Sequence, residues 1–261
     1  MLKELYTAAM GMMPQQTRLE VISNNMANAS TSGFKRQSVF ERNLIDARAN
    51  FNNVKGDAEQ NDPPIGSYTD FKMGDTQETN NRLDLFIANP EAFFVLRDEE
   101  GKEFLTRAGN FTIAEDGSLR SASSKLVMGQ NGPIDFNAEF FTSPDKTGQG
   151  NLLNIRISEN GEIFANDFNV GEFKLVVPED MQTLQRISGS DFIATNITNM
   201  RELELDQIDV RQGYLEGSNV DIVSEMVQMI ELQKSFEAGQ KVITTNDGTL
   251  DRSIGIGRYF T

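Results

Sequence analysis

Leu5, Met12, Leu19 and Met26 recur at intervals of seven near the N-terminus, and Ile222, Met229, Phe236 and Ile243 do the same near the other end. A seven-residue apolar repeat on a helix makes a narrow seam that another helix has to cover. The first seam, filled out by Ala8, Gln15, Ile22 and Ala29, predicts an amphipathic helix over 2–28. Pro14 falls inside it and predicts a kink near 12–14, with the seam kept in phase. The run from Asn24 to Gly33 supplies the stop, since Asn and Ser bond the backbone locally and glycine ends helices. The second seam, Ile222, Met226, Met229, Gln233, Phe236, Gln240 and Ile243, predicts a helix over 216–247. Ser218 or Asn219 caps it and Gly248 ends it. Val223, Val227 and Ile230 widen its apolar face enough for more than one neighbour.

Between the seams the period changes. Leu83–Ala88, Ala92–Arg97, Glu103–Arg107, Phe111–Ile113, Leu119–Arg120, Lys125–Met128, Leu152–Ile157, Glu162–Ala165, Phe173–Val177 and Phe192–Ala194 alternate or cluster apolar residues between turn residues, which predicts strands. Asp116-Gly117 and Asn160-Gly161 read as type I′ hairpin turns, within two similar stretches, 113–119 and 157–163, that form two like hairpins of one antiparallel domain. Residues 34–80 carry weak signals. Phe34, Val39, Phe40, Leu44 and Ile45 anchor the start of an extended stretch that holds Pro63-Pro64 and Gly66. The fold class expected is α+β, a mainly antiparallel β central domain with N- and C-terminal helices that pair as a coiled coil. The expected divisions are an assembly helix and turn at 1–36, an extended connector at 37–82, the β domain at 83–200, a return connector at 201–215, a second assembly helix at 216–250 and a tail at 251–261.

Charge changes the picture next. The chain carries a net charge of −15, which repels nucleic acid and anionic lipid. Residues 1–36 nevertheless carry +2, from Lys3, Arg18, Lys35 and Arg36 against Glu4 and Glu20, while residues 215–250 carry −4. Opposite signs favour pairing of the two helices with each other. There is no Cys, His or Trp, so disulfides, thiolate chemistry and imidazole catalysis are all excluded. No apolar run is long enough to span a bilayer, and the start of the chain lacks the basic-then-apolar pattern of a cleaved secretory signal.

Candidate chemistry is thin. The adjacent acids Glu99-Glu100, Glu115-Asp116 and Glu179-Asp180 are the raw material of a carboxylate hydrolase, but 39 acidic residues supply such pairs by chance. Asp116-Gly117 lacks the further oxygen ligands of a Ca²⁺ loop, and Gly255-Ile256-Gly257 is too short for a phosphate loop. No cofactor or metal is expected.

The terminal segments say more. Ser23-Asn24-Asn25-Met26-Ala27-Asn28, followed by Thr31, Gly33, Phe34, Lys35 and Arg36, resembles the N-terminal signature of bacterial flagellar rod, hook and hook–filament axial proteins. Tyr214 to Asp221, then Glu225 to Ile230 and Gln233 to Glu237, is similar to their C-terminal signature. Arg82 to Ile87, Thr106 to Phe111 and Asp116-Gly117 resemble the β domain of the rod members. Length excludes the larger hook protein as the best match. Leu215 to Val220 leans toward the proximal-rod members, with the distal-rod members next. Met26 stands where the family usually has Leu, and 248–261 match poorly.

The resemblance implies a non-enzymatic axial subunit located in the periplasmic rod of the basal body. Its implied partners are copies of itself and other rod proteins, and its implied route is the flagellar export apparatus without a cleaved signal. No nucleic acid partner and no membrane insertion are implied. The assembly interface then comprises Leu5, Met12, Leu19, Ile22 and Met26 with Ile222, Met226, Met229, Gln233, Phe236 and Ile243. Asn25, Asn28, Thr31, Gly33 and Phe34 form the turn between inner helix and outer domain. The rival readings are a secreted glycan hydrolase and a regulatory protein that uses the same export route.

Overall fold

A computed structural model describes residues 2–41, 65–136, 154–166, 168–194, 200–204 and 207–257. Its described strand pairs are all antiparallel, and two long helices lie at the ends of the sequence. The chain divides into two units. One comprises residues 1–27, 37–70 and 221–261, and the other residues 28–36 and 71–220. The expectations for Leu44, Ile45, Pro63-Pro64 and Leu152, and for the side chains of Leu5 and Met12, lie outside the described residues.

In the first unit an N-terminal helix, Leu2–Ala27, runs without a break through Pro14. It packs against a C-terminal helix, Ile222–Gly257. Gln15 Nε2 donates to Ser235 Oγ at 3.0 Å, and Asn25 Nδ2 to Glu225 Oε2 at 3.3 Å. Ten residues forward on one helix match ten residues back on the other, so the pair is antiparallel. The expected start and stop of the second helix are both corrected. Asp221 is the cap, its Oδ1 accepting from Val223 N at 3.0 Å and its carbonyl from Glu225 N. Gly248 lies inside the helix, because a glycine ends a helix only by turning left-handed and Gly248 is not among the positive-φ glycines. A two-stranded ribbon, Gln37–Glu41 with Ile65–Thr69, completes the unit in the register Gln37↔Thr69.

The second unit holds a ten-stranded sheet built around Phe93–Arg97. That strand pairs with Glu103–Thr106 and Leu126–Gly129, and at its start with Leu175–Pro178. Its unbroken apolar run marks a strand covered on both faces. Alternation sends Phe94 and Leu96 into a large core with Phe111 and Phe173, and Phe93 and Val95 into a second core with Leu105 and Phe192. Phe94 meets Phe111 edge to face, with ring centroids 5.0 Å apart. A three-stranded sheet, Ile155–Ile157, Glu162–Ala165 and Phe168–Glu172, and two short ribbons pair the remaining strands. One ribbon joins Tyr214–Glu216 to Thr76–Glu78, so Glu216, expected to open a helix, ends a strand instead.

The two expected hairpins are present, with a different turn. At 114–118 the Gly117 N–H donates to Ala114 O and the Ala114 N–H to Ser118 O, and 158–162 repeats the pattern. Only the glycines, Gly117 and Gly161, have positive φ, which makes these type I turns closed by a bulge glycine rather than type I′ turns. Residues 98–102 and 121–125 close in the same way, with Gly101 and, at φ 61°, Ser124 in the left-handed position.

Candidate functional site: a buried charge cluster

Three segments distant in sequence meet inside the second unit: the turn 28–36, the Thr106–Phe111 stretch and the strand Tyr214–Glu216. The turn starts with Asn28, whose carbonyl accepts from Thr31 N and whose Oδ1 accepts from Thr31 Oγ1. It ends with Gly33 in the left-handed region, its N–H donating to Glu216 O at 2.8 Å. A Cβ on Gly33 would lie 2.3 Å from Ala108 N, so only glycine lets the turn approach the Arg107–Ala108 backbone. Phe34, which follows, is fully buried. Asn219 fastens the other side, accepting from Arg36 N at 2.6 Å and donating to Lys72 O at 3.0 Å.

These backbone ties bring Lys35, Arg107 and Glu216 together with almost no solvent exposure. Glu216 Oε1 accepts from Lys35 Nζ at 2.5 Å and from Gly74 N at 3.1 Å. Its Oε2 accepts from Arg107 Nε at 2.8 Å and lies 2.7 Å from Arg107 Nη2. The remaining donors end on carbonyls. Lys35 Nζ reaches Lys72 O and Phe71 O, and the guanidinium reaches Asn89 O, Ala92 O and Ile87 O. Every nitrogen of the guanidinium and both oxygens of the carboxylate are therefore engaged. Burial pulls Arg107 below the ordinary guanidinium pKa, and the charge and hydrogen bonds of Glu216 push it back up. The cluster carries one net positive charge, spread over five carbonyl oxygens. Such an arrangement fixes geometry; it offers no free nucleophile or base.

In the first unit Asn25 is fully buried and makes a smaller clamp. Its Nδ2 donates to Gln37 O at 2.8 Å, and its Oδ1 accepts from Gln37 N at 3.0 Å. The expected turn residues thus divide: Asn25 belongs to the first unit, and Asn28, Thr31, Gly33 and Phe34 to the second. Of the expected interface, Ile22 is buried, while Leu19, Met26, Met229, Phe236 and Ile243 are half-buried. Ile222, Met226 and Gln233 are exposed. Lys35, Arg107 and Glu216 stand in the recognised segments but were not singled out from sequence. Charge inside otherwise apolar and glycine-rich stretches was the signal available.

The adjacent acid pairs 99–100, 115–116 and 179–180 are all exposed. Asp116 is taken up by Ser118 and Arg120, and Asp180 caps a short 3₁₀ turn. Among the described residues no group of three or more acidic side chains could hold a metal, and no helix is long and apolar enough to cross a membrane.

Three family models match, in the order expected of one protein. "Flagella basal body rod protein" covers 5–35, "Flagellar hook protein FlgE/F/G D1 domain" covers 89–165, and "Flagellar basal body rod FlgEFG protein C-terminal" covers 211–256. The last match runs past Gly248, into the stretch expected to match poorly. The flagellar basal-body rod protein FlgG of Agrobacterium fabrum is 28% identical, over 94% of this chain and 96% of its own length. The flagellar hook-basal body complex protein FlhO of Bacillus subtilis is 29% identical over 97% of both chains. The basal-body rod protein FlgF of Rhizobium meliloti is 28% identical over 96% of this chain and 95% of its own. The buried cluster joins one residue from each of the three recognised segments, and relatives align from end to end: the chain belongs to the flagellar basal-body rod protein family.

Proposed function

We propose that this chain is a structural subunit of the flagellar basal-body rod, polymerising through its terminal helices into a shaft. One observation carries the reading of how it polymerises. At 100° per residue, Glu225, Gln228, Met229, Leu232, Phe236, Gly239 and Ile243 share one arc of the C-terminal helix, and these are its described buried or half-buried positions. Ile222, Val223, Met226, Val227 and Ile230 fall on a different arc, about 140° wide, and all five are exposed, Val223 at 69%. A soluble helix with a second, uncovered apolar stripe is short of a neighbour. A shaft of repeated helices supplies that neighbour.

In this reading Leu5, Met12, Leu19, Ile22 and Met26 form a coiled-coil seam with Met229, Phe236 and Ile243, while Ile222, Met226 and Gln233 face further subunits. Copies of the chain and other rod proteins are the partners, export proceeds without a cleaved signal peptide, and the subunit is not an enzyme. The proximal rod is our assignment, with the distal rod as alternative.

The test is electron microscopy of basal bodies from a strain lacking the gene, complemented with wild type, Leu19→Asp or Phe236→Lys. We expect rods with wild type only, ending at the position of this subunit when it is missing. Full rods with both variants would sink the helix-seam reading, and full rods without the gene would sink the subunit reading.

A further inference from the structure

Lys35 is held through its side chain by Glu216, but its backbone has a second partner. The guanidinium of Arg186, on the strand Leu184–Ser188, donates through Nη2 to the Lys35 carbonyl. The same guanidinium lies 4.2 Å from the centroid of the Phe34 ring and 5.3 Å from that of Phe192. Its Nε and Nη1 are buried and, among the described residues, have no hydrogen-bond partner. Two buried donors without acceptors are costly, and water cannot reach them. The rings supply what compensation there is, through cation–π contact. Burial lowers the pKa of Arg186 to about 10, so it remains charged at neutral pH.

We infer that Arg186 is a positioning residue for the turn that follows the N-terminal helix, locking Phe34 and Lys35 onto the sheet. A planar cation suits this place because it stacks on the rings while one edge reaches the carbonyl, and lysine cannot do both. The register of the strand fits. A bulge between Arg186 and Ser188 turns Ile187 outward, 55% exposed, and leaves Arg186 opposite Phe192. The role in assembly rests on the function proposed above; the lock itself does not.

The test is amide hydrogen exchange on the full chain, comparing wild type with Arg186→Lys, Arg186→Leu, Phe34→Leu and the double variant Arg186→Leu/Phe34→Leu. Loss of the lock accelerates exchange at Gly33 and Phe34 at least tenfold in each single variant, while Val95 and Leu105 keep their protection. The double variant should be little worse than either single one, because both remove the same contact. Uniform acceleration that includes Val95 and Leu105 would make Arg186 a general stability residue and overturn the inference. An unchanged turn in Arg186→Lys and Arg186→Leu would overturn it too. Basal-body micrographs of the same variants then test the assembly reading separately: a loosened turn with normal rods would refute the role in assembly and leave the lock standing.

Discussion

Replacing Glu216 by Gln keeps the shape of the side chain and removes the charge between two buried cations. At an effective dielectric of about 20, a unit pair at about 4 Å is worth about 4 kcal/mol. Two such attractions give about 8 kcal/mol, and the repulsion between Lys35 and Arg107, about 2 kcal/mol across roughly twice that distance, offsets none of this loss because it is the same with Glu or Gln. The amide recovers part of the loss, because its oxygen still accepts from one cation. Its NH₂, however, must then face the donors of the other. Measured losses on breaking a buried pair run to about 3–5 kcal/mol, and we expect Glu216→Gln to fall there. The matched control is Glu103→Gln. Glu103 pairs with Arg97 at 2.8 Å, with the two side chains 26% and 37% exposed, and it should cost no more than about 1 kcal/mol. Urea unfolding of the full chain, followed by far-ultraviolet circular dichroism, measures both. By calorimetry the Glu216 variant should melt about 6–20 °C lower. Adding Lys35→Met to Glu216→Gln should recover stability, since it removes a stranded cation. A loss below about 1 kcal/mol, or a further loss on adding Lys35→Met, would refute the account of the cluster.

Gly33→Ala should cost about 2–5 kcal/mol, from left-handed strain and from backbone that cannot yield, and unfolding in urea reads it directly. Asn25→Ala strips Gln37 N–H of its acceptor inside a buried site and should cost about 1–3 kcal/mol in the same assay, whereas an exposed amide such as Gln16→Ala should cost little. The Asp116 carboxyl is held down to about 2, first by the Ser118 hydroxyl and backbone N–H and then by Arg120. Because its folded pKa lies below the ordinary 3.8, its contribution to stability is complete above about pH 4 and disappears as pH falls toward 2. A carboxyl titration by NMR should place its midpoint near 2, and a midpoint near 4 would refute the hydrogen-bond assignment.

The strands were legible where a period was written into the chain. Phe93–Arg97, Glu103–Thr106 and Glu162–Ala165 stand within a residue or two of their expected positions, because an apolar run or alternation is a local property. Leu184–Ser188 was missed because its bulge breaks the alternation at Ile187. Thr76–Glu78 was missed because all three residues are polar and exposed, and the strand is defined only by its partner, Tyr214–Glu216. That partnership also explains the misplaced helix start, since Ser218 and Asn219 look like caps in sequence while Asn219 is committed to Arg36 and Lys72. The dipeptides at 116–117 and 160–161 gave the hairpins but not their type, because a bulge glycine and a type I′ glycine have the same sequence appearance. The buried cluster was the least legible part. Lys35, Arg107 and Glu216 each look like an ordinary surface charge until the chain is folded.

Glu216 lies 181 residues from Lys35 and 109 from Arg107. A chain emerging from the ribosome N-terminus first has both cations, and nearly all of its β strands, long before the one carboxylate that can hold them. The turn at 28–36 therefore gains its Arg186 contact first, and its carboxylate lock only when the strand Tyr214–Glu216 arrives. Loop closure over such separations comes late and slowly. A single acidic side chain thus acts as a timer: the charge lock of this body closes only after the chain has grown 181 residues beyond Lys35.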